Sequence, residues 1–85
     1  MRVAILTRGN DKAAQKLQCL FYAKFKDYNV VEVVNNTQEL SKLVANEKID
    51  TIIMTDPSRL TRDRMEFESM QQMLRGYGVT IELAQ

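Results

Sequence analysis

The sequence contains no histidine and no tryptophan, and it has only one cysteine and one proline among 85 residues. The absence of histidine excludes acid–base catalysis by an imidazole. With one cysteine and no histidine, a zinc site built from the usual ligands is not expected, and we predict neither a metal nor another cofactor. Cys19 has no partner for an internal disulfide, which fits a reducing compartment, and we expect it to be a small buried residue.

Long apolar runs are also absent. No run approaches the roughly 20 residues that a membrane-spanning helix needs, and Met1 leads directly into strand-like sequence rather than a signal peptide. We therefore expect a cytoplasmic protein with no membrane partner. A net charge of +1 argues against binding nucleic acid by bulk electrostatics, so a contact with phosphate requires a local cluster of charge. The length predicts a single domain over residues 1–85.

Strand and helix patterns alternate along the whole chain. Short continuous apolar runs are typical of parallel strands that are buried on both faces. The last predicted strand instead alternates apolar and polar residues, which indicates an edge strand. The predicted strands are 3–6, 28–34, 49–54 and 79–83, and the predicted helices are about 11–26, 36–48 and 61–75. This order predicts an α/β fold in three layers, with a mostly parallel four-stranded sheet and helices on its faces.

Helical spacing and capping patterns assign further roles. Asn36 and Glu39 resemble a capping box at the start of the second helix, and the segment 9–11 is suited to capping the first. In the first helix the apolar spacing predicts a core-facing stripe: Ala13, Leu17, Leu20, Phe21 and Phe25. Methionines are usually gap-filling core residues, with a partner-binding surface as the alternative, and here they are Met54, Met65, Met70 and Met73.

Arginines follow two of the predicted strands. Arg8 comes directly after the first strand, and Arg59 and Arg62 come after the third. Because ligands of open α/β sheets bind at the carboxyl ends of the strands, we expect these side chains to converge. Arg59, Arg62 and Arg64 also place positive charge at the predicted start of a helix, where acidic residues are favoured. A spacing of three would aim Arg59 and Arg62 at one spot. The pattern predicts an anion site.

The alternative is that these arginines are solvated and pair with neighbouring carboxylates, for which the candidates are Asp56, Asp63 and Glu66. Composition and spacing alone leave both interpretations open.

Three segments of the chain resemble the serine recombinases, that is, the resolvases and invertases. Residues 1–8, Met-Arg-Val-Ala-Ile-Leu-Thr-Arg, are similar to the first strand of that family. Residues 49–54 and the segment Arg59-Leu60-Thr61-Arg62-Asp63 resemble its third strand and the arginine-rich segment that follows. Residues 78–81 resemble its next turn and strand. The resemblance covers nearly the whole chain and implies a resolvase-like fold and a role in DNA recombination.

The resemblance also implies roles for individual residues. In these enzymes a serine hydroxyl attacks a DNA phosphodiester while arginines clamp the phosphate. Arg8, Arg59 and Arg62 match the clamp and are the expected phosphate-binding or DNA-binding residues. Asn10 stands where the family has its serine, and a carboxamide has no hydroxyl with which to attack. We therefore assign no catalytic residue and expect a catalytically degenerate domain.

Other family features have no counterpart within residues 1–85: the Gly/Ser-rich mobile segment after the second strand, the long dimerising helix and the helix-turn-helix domain. We expect a domain that acts through contacts with DNA phosphates or with protein, as a homo-oligomer or beside a recombinase partner. A truncated or divergent recombinase whose chemistry is supplied elsewhere is a second reading. A small interaction or regulatory module without a nucleic-acid role is the third.

Overall fold

The computed structural model describes every residue from 1 to 85. Strands and helices alternate in the predicted order, with boundaries that differ from the predicted ones by up to three residues. The strands are β1 (Arg2–Leu6), β2 (Asn29–Val34), β3 (Thr51–Met54) and β4 (Thr80–Leu83). The helices are α1 (Lys12–Phe25), α2 (Thr37–Ala45) and α3 (Arg64–Gly76), with a 3₁₀-helix at Pro57–Arg59. None of the helices combines the length and the apolar character that crossing a bilayer requires.

The four strands form one sheet in the order β2-β1-β3-β4, and every neighbouring pair is parallel. This confirms the predicted α/β fold. β4 pairs only with β3, which confirms that it is an edge strand. β1 and β3 are direct neighbours, with Ile5 opposite Ile53. Their carboxyl ends therefore lie side by side, and the segments that follow them begin at the same edge of the sheet.

Helices cover both faces of the sheet. Ala4, Leu6 and Met54 belong to the core beneath α2 and α3, whereas Val3 and Ile5 belong to the core beneath α1. Successive residues of a strand point to opposite faces, so β1 contributes to both cores. All of these side chains are fully buried. The continuous apolar runs of the two central strands are explained by this two-sided burial.

The buried face of α1 is not the face that its apolar spacing indicated. Phe21 and Phe25 are 65% and 88% exposed, and Leu17 is also exposed. The smaller Cys19 and Ala23 face the sheet instead, at no more than 1% exposure. Small residues on the inner face let the helix lie close to the strands, which leaves the bulkier apolar residues outside. The prediction of a core stripe containing Phe21 and Phe25 is therefore wrong, and that of a buried Cys19 is confirmed.

α3 begins three residues later than predicted, because Asp56 and Pro57 open a separate turn. The Asp56 carboxylate accepts a hydrogen bond from the backbone N–H of Ser58 (2.9 Å) and starts the 3₁₀-helix. Asp63 then caps α3 by accepting from the backbone N–H groups of Met65 (2.9 Å) and Glu66 (3.3 Å). In α2 the predicted N-cap is confirmed, since Asn36 accepts from the backbone N–H of residue 39 at 2.8 Å.

The methionines divide between the core and the surface. Met54 is fully buried, and Met70 packs against the core beneath α2 and α3. Met65 and Met73 are 77% and 58% exposed, so their assignment to the core is wrong. On α3, Leu74 is the only buried residue.

Candidate functional site

A cleft of about 400 Å³ opens at the sheet edge where β1 and β3 end, and we call it the arginine cleft. Arg8 lies just after β1, Arg59 is the last residue of the 3₁₀-helix, and Arg62 lies between that helix and α3. All three line the arginine cleft, together with Gly9, Ser58, Leu60 and Thr61. The convergence that the parallel topology predicted is present in the structure.

Arg59 is held in place by three groups of the protein. Its Nε lies 3.3 Å from Oδ2 of Asp56 and 3.2 Å from Oγ1 of Thr55. One terminal nitrogen donates to the backbone carbonyl of Arg8 at 3.2 Å, which ties the 3₁₀-helix to the end of β1. Pairing with Asp56, one of the carboxylates considered from the sequence, therefore holds for Arg59. The hydrogen bond from Ser58 lowers the pKa of Asp56, and the nearby guanidinium of Arg59 lowers it further.

Arg8 and Arg62 differ from Arg59, because neither side chain makes a hydrogen bond or an ion pair with the protein. Both residues are exposed. The chain has two ion pairs, Arg2–Asp50 at 3.1 Å and Arg59–Asp56 at 3.3 Å. The guanidinium donors of Arg8 and Arg62 are therefore free for a ligand that enters the cleft. Charge-assisted hydrogen bonds to a phosphate are among the strongest that a protein surface can offer.

The prediction of positive charge at the start of a helix holds for Arg64, the first residue of α3, but is wrong for Arg59 and Arg62. Arg59 and Arg62 precede Asp63, the N-cap of α3, and so lie outside the first turn of that helix. The amino end of α3 is satisfied by the carboxylate of Asp63, as the helix dipole favours. The three arginines meet because β1 and β3 are parallel neighbours, rather than because two of them share a helix face.

The loop between β1 and α1 is held by Gln15, a residue for which we predicted no role. Gln15 is only 3% exposed, and its Nε2 donates to the backbone carbonyls of Arg8 and Asn10, both at 2.8 Å. Its Oε1 accepts from the backbone N–H of Arg8 at 3.0 Å. The sequence does contain an indication of this role, because Gln15 lies on the same side of the helix as the small residues Cys19 and Ala23. A polar residue must find hydrogen-bond partners when it is buried.

Gly9 and Asp11 give this loop its shape. Gly9 has φ +77°, a left-handed conformation that glycine adopts without steric cost, and it lies in the wall of the arginine cleft. Asp11 is also left-handed, at φ 62°, and occupies the N-cap position of α1 without a capping hydrogen bond from its side chain. Residue 11 thus occupies the predicted N-cap position of α1, but its side chain does not cap the helix. Asn10 is exposed, is not among the residues that line the cleft, and is held through its backbone carbonyl.

The two hydroxyl groups of the cleft serve the local turns. Ser58 Oγ donates to Oδ1 of Asp56, and Thr61 Oγ1 accepts from the backbone N–H of Asp63 at 3.3 Å. These are the capping and turn contacts expected of such residues. No group of three or more cysteine or acidic side chains is arranged to hold a metal ion.

Comparisons with known proteins identify the family to which this all-parallel α/β domain belongs. A family model described as the resolvase N-terminal domain matches residues 1–85. A comparison with curated proteins found no match. The chain belongs to the resolvase N-terminal domain family of serine recombinases.

Solved structures agree with this assignment. The C-terminal catalytic domain of ISC1926 TnpA, an IS607-like serine recombinase, is 32% identical with a TM-score of 0.88, over 99% of this chain and 70% of that chain. The N-terminal catalytic domain of TP901-1 integrase has a TM-score of 0.89 at 17% identity, over 99% and 77% of the two chains. A resolvase family site-specific recombinase from Streptococcus pneumoniae has a TM-score of 0.89 at 17% identity, over 99% and 72%. The last two show the shared fold.

Proposed function

We propose that this domain takes part in site-specific DNA recombination by holding a backbone phosphate in the arginine cleft, and that it does not cut the DNA itself. The observation that carries the proposal is the convergence of Arg8, Arg59 and Arg62 on one cleft in a serine recombinase domain. Arg59 is fixed by protein contacts, whereas Arg8 and Arg62 have unpaired donors. A phosphate oxygen supplies the acceptors that these donors lack.

The absence of cleavage follows from the chemistry of the side chains around the cleft. Asn10 offers a carboxamide where the family has its serine, so no phosphoserine can form there. The hydroxyls of Ser58 and Thr61 are engaged in turn contacts. No histidine is available to take a proton from either hydroxyl. In this proposal the cleft binds and positions DNA, and a recombinase partner that has the serine makes the cut.

Salt-dependent DNA binding tests the phosphate site. We expect the chain to bind a labelled duplex oligonucleotide more weakly as salt rises, because released counterions drive phosphate binding. Arg8→Gln and Arg62→Gln should each lower the slope of log K against log salt by about 1. Arg75→Gln, at the far end of α3, is the matched control and should leave the slope unchanged. An absence of binding even at low salt would favour the interaction module without a nucleic-acid role.

A covalent-adduct assay tests the loss of cleavage separately. Incubation with supercoiled or nicked DNA should give no protein–DNA adduct in the wild-type chain. An adduct that disappears in Ser58→Ala or Thr61→Ala would show that a substitute nucleophile operates and would overturn this part of the proposal. Asn10→Ser tests the alternative that the chain is a truncated or divergent recombinase. A domain whose remaining chemistry is intact should gain a phosphoserine linkage in this variant.

A further inference from the structure

A second cleft continues from the arginine cleft toward α3. It has a volume of about 380 Å³, and only one of its eight lining residues is hydrophobic. The two clefts share three lining residues, Ser58, Thr61 and Arg62, so they adjoin each other at these residues, and we call the pair the groove. Beyond Arg62 the groove is lined by Arg64, Glu68 and Gln71.

The charges along this extension point to an anion. Arg64 is exposed and makes no hydrogen bond or ion pair, so its guanidinium is as free as those of Arg8 and Arg62. Glu68 lies four residues further along α3, but no ion pair joins it to Arg64 within 4.0 Å. The carboxylate of Asp63, which lies between the two arginines in sequence, is directed to the backbone of α3.

We propose that this extension is a second phosphate subsite, in which Arg62 and Arg64 hold the phosphate adjacent to the one in the arginine cleft. The inference rests on the proposed function, because it assigns the groove to one DNA strand that passes through both clefts. A DNA strand carries one phosphate about every 3.4 Å along the helix axis, so a strand held in the arginine cleft presents neighbouring phosphates to the surface beside that cleft. Gln71 offers an amide donor to the same stretch of backbone.

The test compares two charge changes inside the extension with matched changes outside it. Arg64→Gln should weaken binding of the duplex oligonucleotide about threefold to fivefold, as for an exposed charge contact, and should lower the salt slope by about 1. Glu68→Gln should strengthen binding by a similar factor, because it removes a carboxylate that repels the phosphate. Gain of affinity cannot arise from misfolding. Arg75→Gln and Glu32→Gln make the same charge changes elsewhere and should have little effect.

Binding of inorganic phosphate, at matched ionic strength, separates a strand from a free ion. Arg64→Gln should leave the tighter of the two phosphate-binding events unchanged, since that phosphate is held at Arg8, Arg59 and Arg62. If Arg8→Gln weakens DNA binding but Arg64→Gln and Glu68→Gln behave like their controls, the second subsite is wrong and the proposed function stands. If the wild-type chain shows no salt-dependent DNA binding, both proposals fail. If Arg64→Gln weakens the binding of inorganic phosphate and of DNA by the same factor, the extension is part of a single anion site and not a second subsite.

Discussion

The amide of Gln15 forms hydrogen bonds with three backbone groups in the loop after β1, one of which, the carbonyl of Arg8, also accepts from Arg59. Its two hydrogen-bonding atoms reach the N–H and carbonyl of Arg8 and the carbonyl of Asn10. The side chain is neutral, so it shapes the arginine cleft without changing its charge. It therefore acts as a positioning residue, through the backbone that carries Arg8.

Replacing Gln15 by alanine should destabilise the domain by about 1–3 kcal/mol, because buried backbone groups lose their hydrogen bonds. Urea denaturation measures this change. Gln72→Ala is the matched control, since Gln72 is exposed and its side chain makes no hydrogen bond; its effect should stay within about 0.5 kcal/mol. Equal stabilities of the two variants would show that the loop does not depend on Gln15.

At the scale of elements, the buried apolar residues of α1 are small, whereas three of its large apolar residues are exposed. Cys19 and Ala23 pack on the sheet, while Leu17, Phe21 and Phe25 lie outside and exposed. Burial raises the pKa of Cys19 to about 11, so its thiol stays protonated and unreactive at neutral pH. The stability that α1 contributes depends on its close approach to the strands, and Phe21 and Phe25 take little part in it.

Two substitutions on α1 test this arrangement. Phe25→Ser should change the free energy of unfolding by no more than about 0.5 kcal/mol, since the ring is already exposed. Ala23→Leu should cost about 1–3 kcal/mol, because the larger side chain has no room against the sheet. Chemical denaturation of both variants provides the comparison. If Phe25→Ser were the more damaging change, the orientation of α1 would be wrong.

The difference between sequence and structure at this scale has a physical cause. The continuous apolar run of β1 predicted a strand buried on both faces, and a parallel sheet has no other place for it. The spacing of Phe21 and Phe25 showed that α1 has an apolar stripe, but periodicity does not say which stripe meets the sheet. Topology placed the arginines of the cleft correctly. Gln15 was missed because its contacts join a helix to a loop: its position in line with Cys19 and Ala23 indicates that it is buried, but not which groups it binds.

At the scale of the whole molecule, carboxylates at the two ends of the sheet respond to acid in the same way. Asp50 lies near the start of β1 and β3, where the hydrogen bonds that it accepts from Arg2 lower its pKa. Asp56 lies near the end of β3, where the hydrogen bond from Ser58 lowers its pKa. In both cases the folded chain binds a proton less readily than the unfolded chain does. The stabilisation is therefore fully present above the ordinary aspartate pKa and is lost as the pH falls through the lowered values.

We expect the free energy of unfolding to decrease as the pH is lowered below the ordinary pKa of aspartate. The double variant Asp50→Asn/Asp56→Asn should show less of this decrease, because the groups that carry it are gone. Both sites are partly exposed, so the effect should shrink in high salt. Urea titrations over a pH series measure it, with Asp27→Asn as control, since the Asp27 carboxylate makes no hydrogen bond or ion pair. An unchanged pH profile in the double variant would contradict the assignment.

The tie between Arg59 and the carbonyl of Arg8 has a thermodynamic consequence for ligand binding. The backbone on both sides of the cleft is anchored in the free domain, by Gln15 on one side and by Asp56 on the other. The conformational entropy lost when a ligand arrives is therefore confined to the side chains of Arg8 and Arg62, at roughly 0.5–1.5 kcal/mol for each immobilised side chain. Because such a site loses little conformational entropy on binding, most of the free energy of each contact contributes to the affinity.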